Sequence, residues 1–131
     1  MKEINQAIYD EVFKISLALG YSTYNYLPGT ASYPFVYLGE QLGVPIQVNS
    51  PGSLVGSSIV TLHIYGAKEK RSQVTDMLSA ITLKAKRIAS ADVYSVAFAS
   101  DKPQIIQDNS TSTILWHGIL ELEFNYLNYK E

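Results

Sequence analysis

From Ile114 to Tyr126, apolar and polar residues alternate with a period of two. Ile114, Trp116, Leu120, Leu122, Phe124 and Tyr126 fall on one side. His117, Glu121, Glu123 and Asn125 fall on the other. This is the signature of a β-strand with one face against a core. Upstream, Tyr94, Val96 and Phe98 form the apolar face of a second strand, and Asp108-Asn109-Ser110-Thr111 is a run of turn formers. Residues 93–127 are therefore predicted to form one long β-hairpin. Simple pairing about that turn sets Phe98 opposite Glu121, on the wrong face. A one-residue bulge at Pro103 or Gly118 would restore the parity. An arm from Ile114 to Tyr126 would measure about 40 Å at ~3.3 Å per residue. That is longer than a typical strand, so the hairpin is expected to reach past the body of the domain.

Two other segments carry a helical period. In residues 2–19, Ile4, Ile8, Val12, Ile15 and Leu19 form one stripe, and Gly20 supplies the stop. In residues 69–86 the stripe is Val74, Met77, Leu78, Ile81 and Ala85. Lys84, Lys86 and Arg87 lie near its C-terminus, where the helix dipole favours cations. Its N-terminal end is poorly signalled. Between the helices, Tyr21–Leu27 reads as a short strand, and Pro28-Gly29 as a turn. Pro34–Gly39 reads as a strand covered on both faces, and Ser58–Tyr65 as a strand. Gln41–Ser57 holds Pro45, Pro51, Gly43, Gly52 and Gly56 and reads as a long loop. Its apolar residues, Val48 and Leu54 among them, are expected to order against a neighbouring subunit and to be mobile without one.

The order of elements predicts one α+β domain over residues 1–131. Its sheet is mostly antiparallel, with two helices packed on one face and a long C-terminal hairpin. The other face would carry His63, Tyr65, His117 and Glu121 mixed with Ile59 and Ile119. Such a face is too polar for a core and too apolar to be simply wet. Tyr65, His63, His117, Ile119, Val48 and Leu54 are the candidate subunit-interface residues.

The composition bounds what this surface can do. Net charge is −2 and charged residues make up 17% of the chain, so bulk electrostatics do not draw it to nucleic acid. The ten tyrosines suit interfaces as well as cores. There is no cysteine, which removes disulfides and thiolate chemistry. No apolar run at the N-terminus reads as a signal peptide, and none elsewhere as a membrane span. Hence the chain is expected to be made in a cytoplasm.

No catalytic, cofactor or metal constellation stands out. His63 and His117 could share a sheet face, with Glu121 as a third ligand, but no spaced ligand motif supports a metal. No serine sits in a nucleophile elbow. Gly52-Ser53-Leu54-Val55-Gly56 lacks the Lys-Ser/Thr of a phosphate loop. Lys68, Lys70 and Arg71 read as a solvated helix end. Trp116, without basic neighbours, reads as a packing residue rather than a base-stacking one. The chain is expected not to be an enzyme and to need no cofactor.

Three stretches together resemble the minor tail proteins of siphophages and prophages, related to tail terminators and tail-to-head joining proteins. They are Tyr33-Pro34-Phe35-Val36-Tyr37-Leu38-Gly39-Glu40-Gln41, then Ile59 to Gly66 with Lys70-Arg71 leading into a helix, and Leu115-Trp116-His117-Gly118-Ile119-Leu120-Glu121-Leu122-Glu123-Phe124. The resemblance covers most of the chain from residue 33 onward. Where the family often has Trp before the Gly that ends the central strand, this chain has Tyr65. The resemblance implies a virion assembly protein without an active site. It would form a hexameric ring with itself at the end of the tail tube. Its other partners would be the major tail protein and the head-connector proteins, with neither specific nucleic acid nor membrane. It would reside in the virion tail after assembly in the host cytoplasm. The competing readings are a head-closure or connector protein, a small α+β ligand-binding module, and a hydrolase or nuclease. The last is disfavoured by the missing carboxylate and histidine cluster.

Overall fold

A computed structural model describes residues 1–47, 52 and 54–128. It contains α1 (Ile4–Ala18), β1 (Thr23–Tyr24), β2 (Phe35–Pro45), β3 (Leu54–Ala67), α2 (Arg71–Ala85), β4 (Ser90–Ala91), β5 (Tyr94–Asp108) and β6 (Leu115–Asn128). The strands make one sheet in the order β1-β2-β3-β6-β5-β4. All neighbours are antiparallel except β1 and β2, which pair in parallel over two residues. This is the predicted α+β class, with the parallel pair as a small exception. The strand expected over Tyr21–Leu27 shrinks to those two residues.

The Glu3 carboxylate starts α1 by accepting from the backbone N–H groups of Asn5 and Gln6, each at 3.0 Å. Gly20, at φ +89°, follows its end as predicted. The buried face of α1 is Ile4, Ala7, Ile8, Val12 and Ser16. Ser16 is buried without cost because its hydroxyl lies 2.7 Å from that of Thr23. The N-cap of α2, Lys70, makes no side-chain capping bond, which is why its start was hard to read. Both helices lie on one side of the sheet. There Ile8, Val12, Val74 and Ile81 meet Val36, Leu38, Val60, Leu62, Ile64, Leu120, Leu122 and Phe124 in a single buried cluster.

Two expectations change. Gln41–Ser57 is not one long loop: Gln41–Pro45 and Leu54–Ser57 are paired strand, in register down to Pro45↔Gly56. The breakers misled because a lone sequence hides which side of a strand is free. Ile46 N–H donates to Val55 O at 2.7 Å. By antiparallel alternation, the neighbouring Pro45 falls at a non-hydrogen-bonded pair, where its missing N–H costs nothing. Residues 48–51 and 53 of that stretch, Val48 included, lie outside the described residues.

The bulge lies at neither predicted position. The shift falls between Phe98↔Phe124 and Ser100↔Glu123, leaving Ala99 as the extra residue. Pro103 stays in register with Leu120, on a part of β5 that has no strand on its other side and so tolerates proline. Gly118 instead leaves room for the Val74 side chain of α2. The connection is also longer than four residues, running from Asn109 to Ile114.

The predicted long hairpin is present, and β3 flanks it. β3 pairs with β6 along its whole length, from Leu54↔Asn128 to Ala67↔Leu115. The overhang is shared. Strands of 14 and 15 residues span about 45 Å, against about 22 Å for a helix of 15 residues. The sheet therefore extends well beyond the helical layer.

Candidate functional site

The helices cover one face of the sheet and leave the other bare. On that face, rings from three strands and the segment before β2 stack into a continuous row. Tyr33 lies on Phe35 (5.7 Å between centroids), Phe35 on Tyr65 (5.2 Å), and Tyr65 on His117 (4.3 Å). The row continues from His117 to His63 (5.0 Å) and to Tyr37 (5.4 Å). Strand pairing explains it, since Phe35↔Tyr65, Tyr37↔His63 and Tyr65↔His117 are cross-strand partners.

A hydrogen-bonded chain runs through this row. His63 Nδ1 lies 2.8 Å from His117 Nε2, and His63 Nε2 lies 2.8 Å from Glu40 Oε1. Glu40 gets there through a bulge. Leu38 pairs with Leu62 but Gln41 with Val60, so Gly39 and Glu40 both stand opposite Thr61. Leu38 and Gln41 then point to the helical side, where Gln41 donates to Asn5 O at 2.8 Å, while Glu40 turns to the bare face. A Cβ on Gly39 would come within 2.9 Å of the Tyr37 ring, so glycine lets that ring fold over the bulge.

The carboxylate accepts only, so His63 donates to it from Nε2. A single proton can then sit between the two rings. Protonating both rings fully would set N–H against N–H and break the contact. Burial, and then the neighbouring His63, hold the His117 pKa below the ordinary histidine value; Asp108 and Glu40 oppose this. Burial pushes Glu40 up, but the hydrogen bond from His63 and its own backbone N–H leave it below the usual carboxylate range. Burial raises Tyr65, and nearby Asp108 adds to that.

A pH dependence follows. The unfolded chain binds a proton at His117 near pH 6.5, whereas the folded chain does so only at lower pH. Stability from this residue is fully present above about pH 6.5 and is lost as pH falls below it. Glu40 adds a separate loss below its ordinary range, as pH falls through its depressed value. Urea melts at stepped pH are expected to show a declining midpoint between about pH 7 and 5, and His117→Gln to flatten that interval. An unchanged profile in the variant would contradict the assignment.

Four of the six candidate interface residues share the bare face: His63, Tyr65, His117 and Ile119. Leu54 does not join them. It lies nine residues up β3 from His63, about 30 Å away, and on the parity of the helical side. Glu121 does not partner the histidines; it pairs with Thr61 and Lys102. Glu40 takes that part. Its signal was Gly39 interrupting the alternation of Leu38 and Gln41. Among the described residues, no three His, Cys, Asp or Glu side chains are arranged so that they could hold a metal ion, and no hydroxyl bonds to the remaining ring nitrogen of His117.

The sequence matches no family model and no curated protein. The structure is similar to that of a chain in the virion of a native gene transfer agent (GTA) particle. The TM-score is 0.58 at 10% sequence identity, over 96% of this chain and 94% of the other. At that identity the likeness carries the fold, and it does so end to end.

Proposed function

We propose that this chain is a phage-type virion structural protein that forms a ring at the end of a tail tube, as a tail terminator or tail-to-head joining protein. The full-length fold shared with a virion chain carries the reading. The uncovered sheet face supports it, because it leaves Tyr33, Leu42, Val44 and Ile106 exposed, and clustered exposed apolar residues mark an interaction surface. The protein acts by surface complementarity and is not an enzyme. The Glu40–His63–His117 chain orders the face, and no nucleophile among the described residues hydrogen-bonds to it.

The test is assembly with tubes of a phage major tail protein, scored by electron microscopy. The wild type is expected to form rings and to cap one tube end. Ile119→Lys places a charge on a half-buried position of the bare face. It is expected to leave the fold intact and to raise the concentration needed for rings about tenfold or more, the equivalent of roughly 1.4 kcal/mol. His63→Gln with His117→Gln is expected to keep assembly. Rings from Ile119→Lys at wild-type concentration, with none from the double glutamine variant, would overturn the reading. Capping of head connectors instead of tubes would favour a head-closure role.

A further inference from the structure

We propose that the bare sheet face of one copy docks onto the α2 layer of the next, head to tail. This rests on the ring reading and names the two surfaces that meet. The segment around α2 and the bare sheet face carry opposite net charge. Residues 68–87 carry six cations, Lys68, Lys70, Arg71, Lys84, Lys86 and Arg87, against two anions, a net of +4, and all eight are exposed. The sheet face and its lower rim carry Glu40, Asp108, Glu121 and Glu123 against Lys102, a net of −3.

Both surfaces also offer apolar area. On the sheet side, Ile106 is 39% exposed and pairs with His117, next to Ile119. On the helical side, Leu83 is 62% exposed beside a groove of about 500 Å³ between α2 and β5, flanked by the cations Arg71 and Lys86 against one anion, Asp101. Apolar area with an acidic surround thus faces apolar area with a basic one.

Two alternatives for a second copy are less favourable. Sheet face against sheet face would bring a net −3 onto a net −3, and like charges across an interface oppose docking. Edge-to-edge pairing is blunted on both sides of the sheet. The open part of β5 carries the Ala99 bulge and Pro103, and that of β2 the Gly39–Glu40 bulge and Pro45. Docking between opposite sides of a two-layer domain uses two different patches. Each copy then keeps one free patch of each kind, so the contact propagates beyond a dimer and builds a ring where the rotation between copies closes.

Charge exchange tests this directly. Glu121→Lys with Glu123→Lys reverses the sheet face, and Lys84→Glu with Lys86→Glu reverses the helix face. In sedimentation velocity at about 0.05 M salt, each variant alone is expected to remain monomeric where the wild type assembles, and about 0.5 M salt is expected to weaken the wild type. An equimolar mixture of the two variants is expected to recover assembly, since every contact can again join opposite charges. Circular dichroism checks folding. Lys84→Gln with Lys86→Gln is the substitute if acids at the helix C-terminus prevent it, with weakened assembly expected. A helix-face variant that assembles like wild type, or a mixture that stays monomeric, overturns this contact while leaving the ring reading standing. A wild type that stays monomeric at every concentration, and on tail tubes as well, removes both.

Discussion

Phe124→Ala is expected to cost about 3–5 kcal/mol, a large share of the ~5–15 kcal/mol that stabilises a chain of this size. Phe124 is fully buried near the upper end of β6, between Ser58 on β3 and Phe98 on β5. Its ring meets that of Phe98 edge to face, 5.8 Å apart and 77° inclined. Edge-to-face pairing adds about 0.5–1.5 kcal/mol to the burial itself. Continuous strands on both sides hold the backbone, so the cavity cannot collapse and the cost falls at the high end. Phe124→Leu, which keeps most of the volume, is expected to cost less than half as much. Urea titration with an unchanged slope is the measurement. A loss for Phe124→Ala below about 1 kcal/mol would mean that the upper end of the sheet is not packed as described.

The placement of Phe124 was legible because alternation is a property of one strand. Leu120, Leu122, Phe124 and Tyr126 are all buried, and Val74, Met77, Leu78, Ile81 and Ala85 line α2 as their spacing requires. What a neighbouring strand does was not legible. Pro45 reads as a breaker and Pro103 as a bulge site, yet each sits in register where the sheet has an open edge. Ala99, which carries no sequence mark of a bulge, is the residue that slips. Its slip brings Phe98 opposite Phe124, so the core face of β6 determines the position from across the sheet.

The candidate site was legible in part for the same reason. Strand parity brought His63, Tyr65, His117 and Ile119 to one face, and there they lie. The rest of the aromatic row was hidden, because it depends on the register between β2 and β3. The apolar run Pro34–Gly39 reads as a strand covered on both faces, which would bury Phe35 and Tyr37 whichever side they face. Their pairing with Tyr65 and His63 turns them onto the bare side. Glu40 reaches His63 only because two residues of β2 face one of β3. Leu54 lies at the far end of the same sheet, a separation that only the continuous β2–β3 hairpin makes visible.

Gly66→Val is expected to destabilise the fold by about 3 kcal/mol or more, and Gly66→Ala by about 1–3 kcal/mol, through overpacking. Val74 sits in a notch that two glycines of neighbouring strands leave open. A Cβ on Gly66 would lie 2.4 Å from Val74 Cγ2, and one on Gly118 would lie 2.8 Å from Val74 Cγ1. Gly66 does not have a left-handed backbone conformation, so backbone strain is not the cause. Alanine in a strand interior would ordinarily stabilise relative to glycine, so the sign of the effect is itself diagnostic. The notch lets α2 lie close on β3 and β6, and that approach fixes the height of Arg71. Its guanidinium stands 5.3 Å from the Trp116 ring centre. Val74→Ala removes both offending methyl groups. On its own it costs stability by opening a cavity, but in the Gly66→Ala background it is expected to cost markedly less. A double-mutant cycle should therefore give a favourable coupling of about 1 kcal/mol or more. Additive losses from the two substitutions would mean that Gly66 and Val74 do not share this space, and that something other than the glycine notch holds α2 to the sheet.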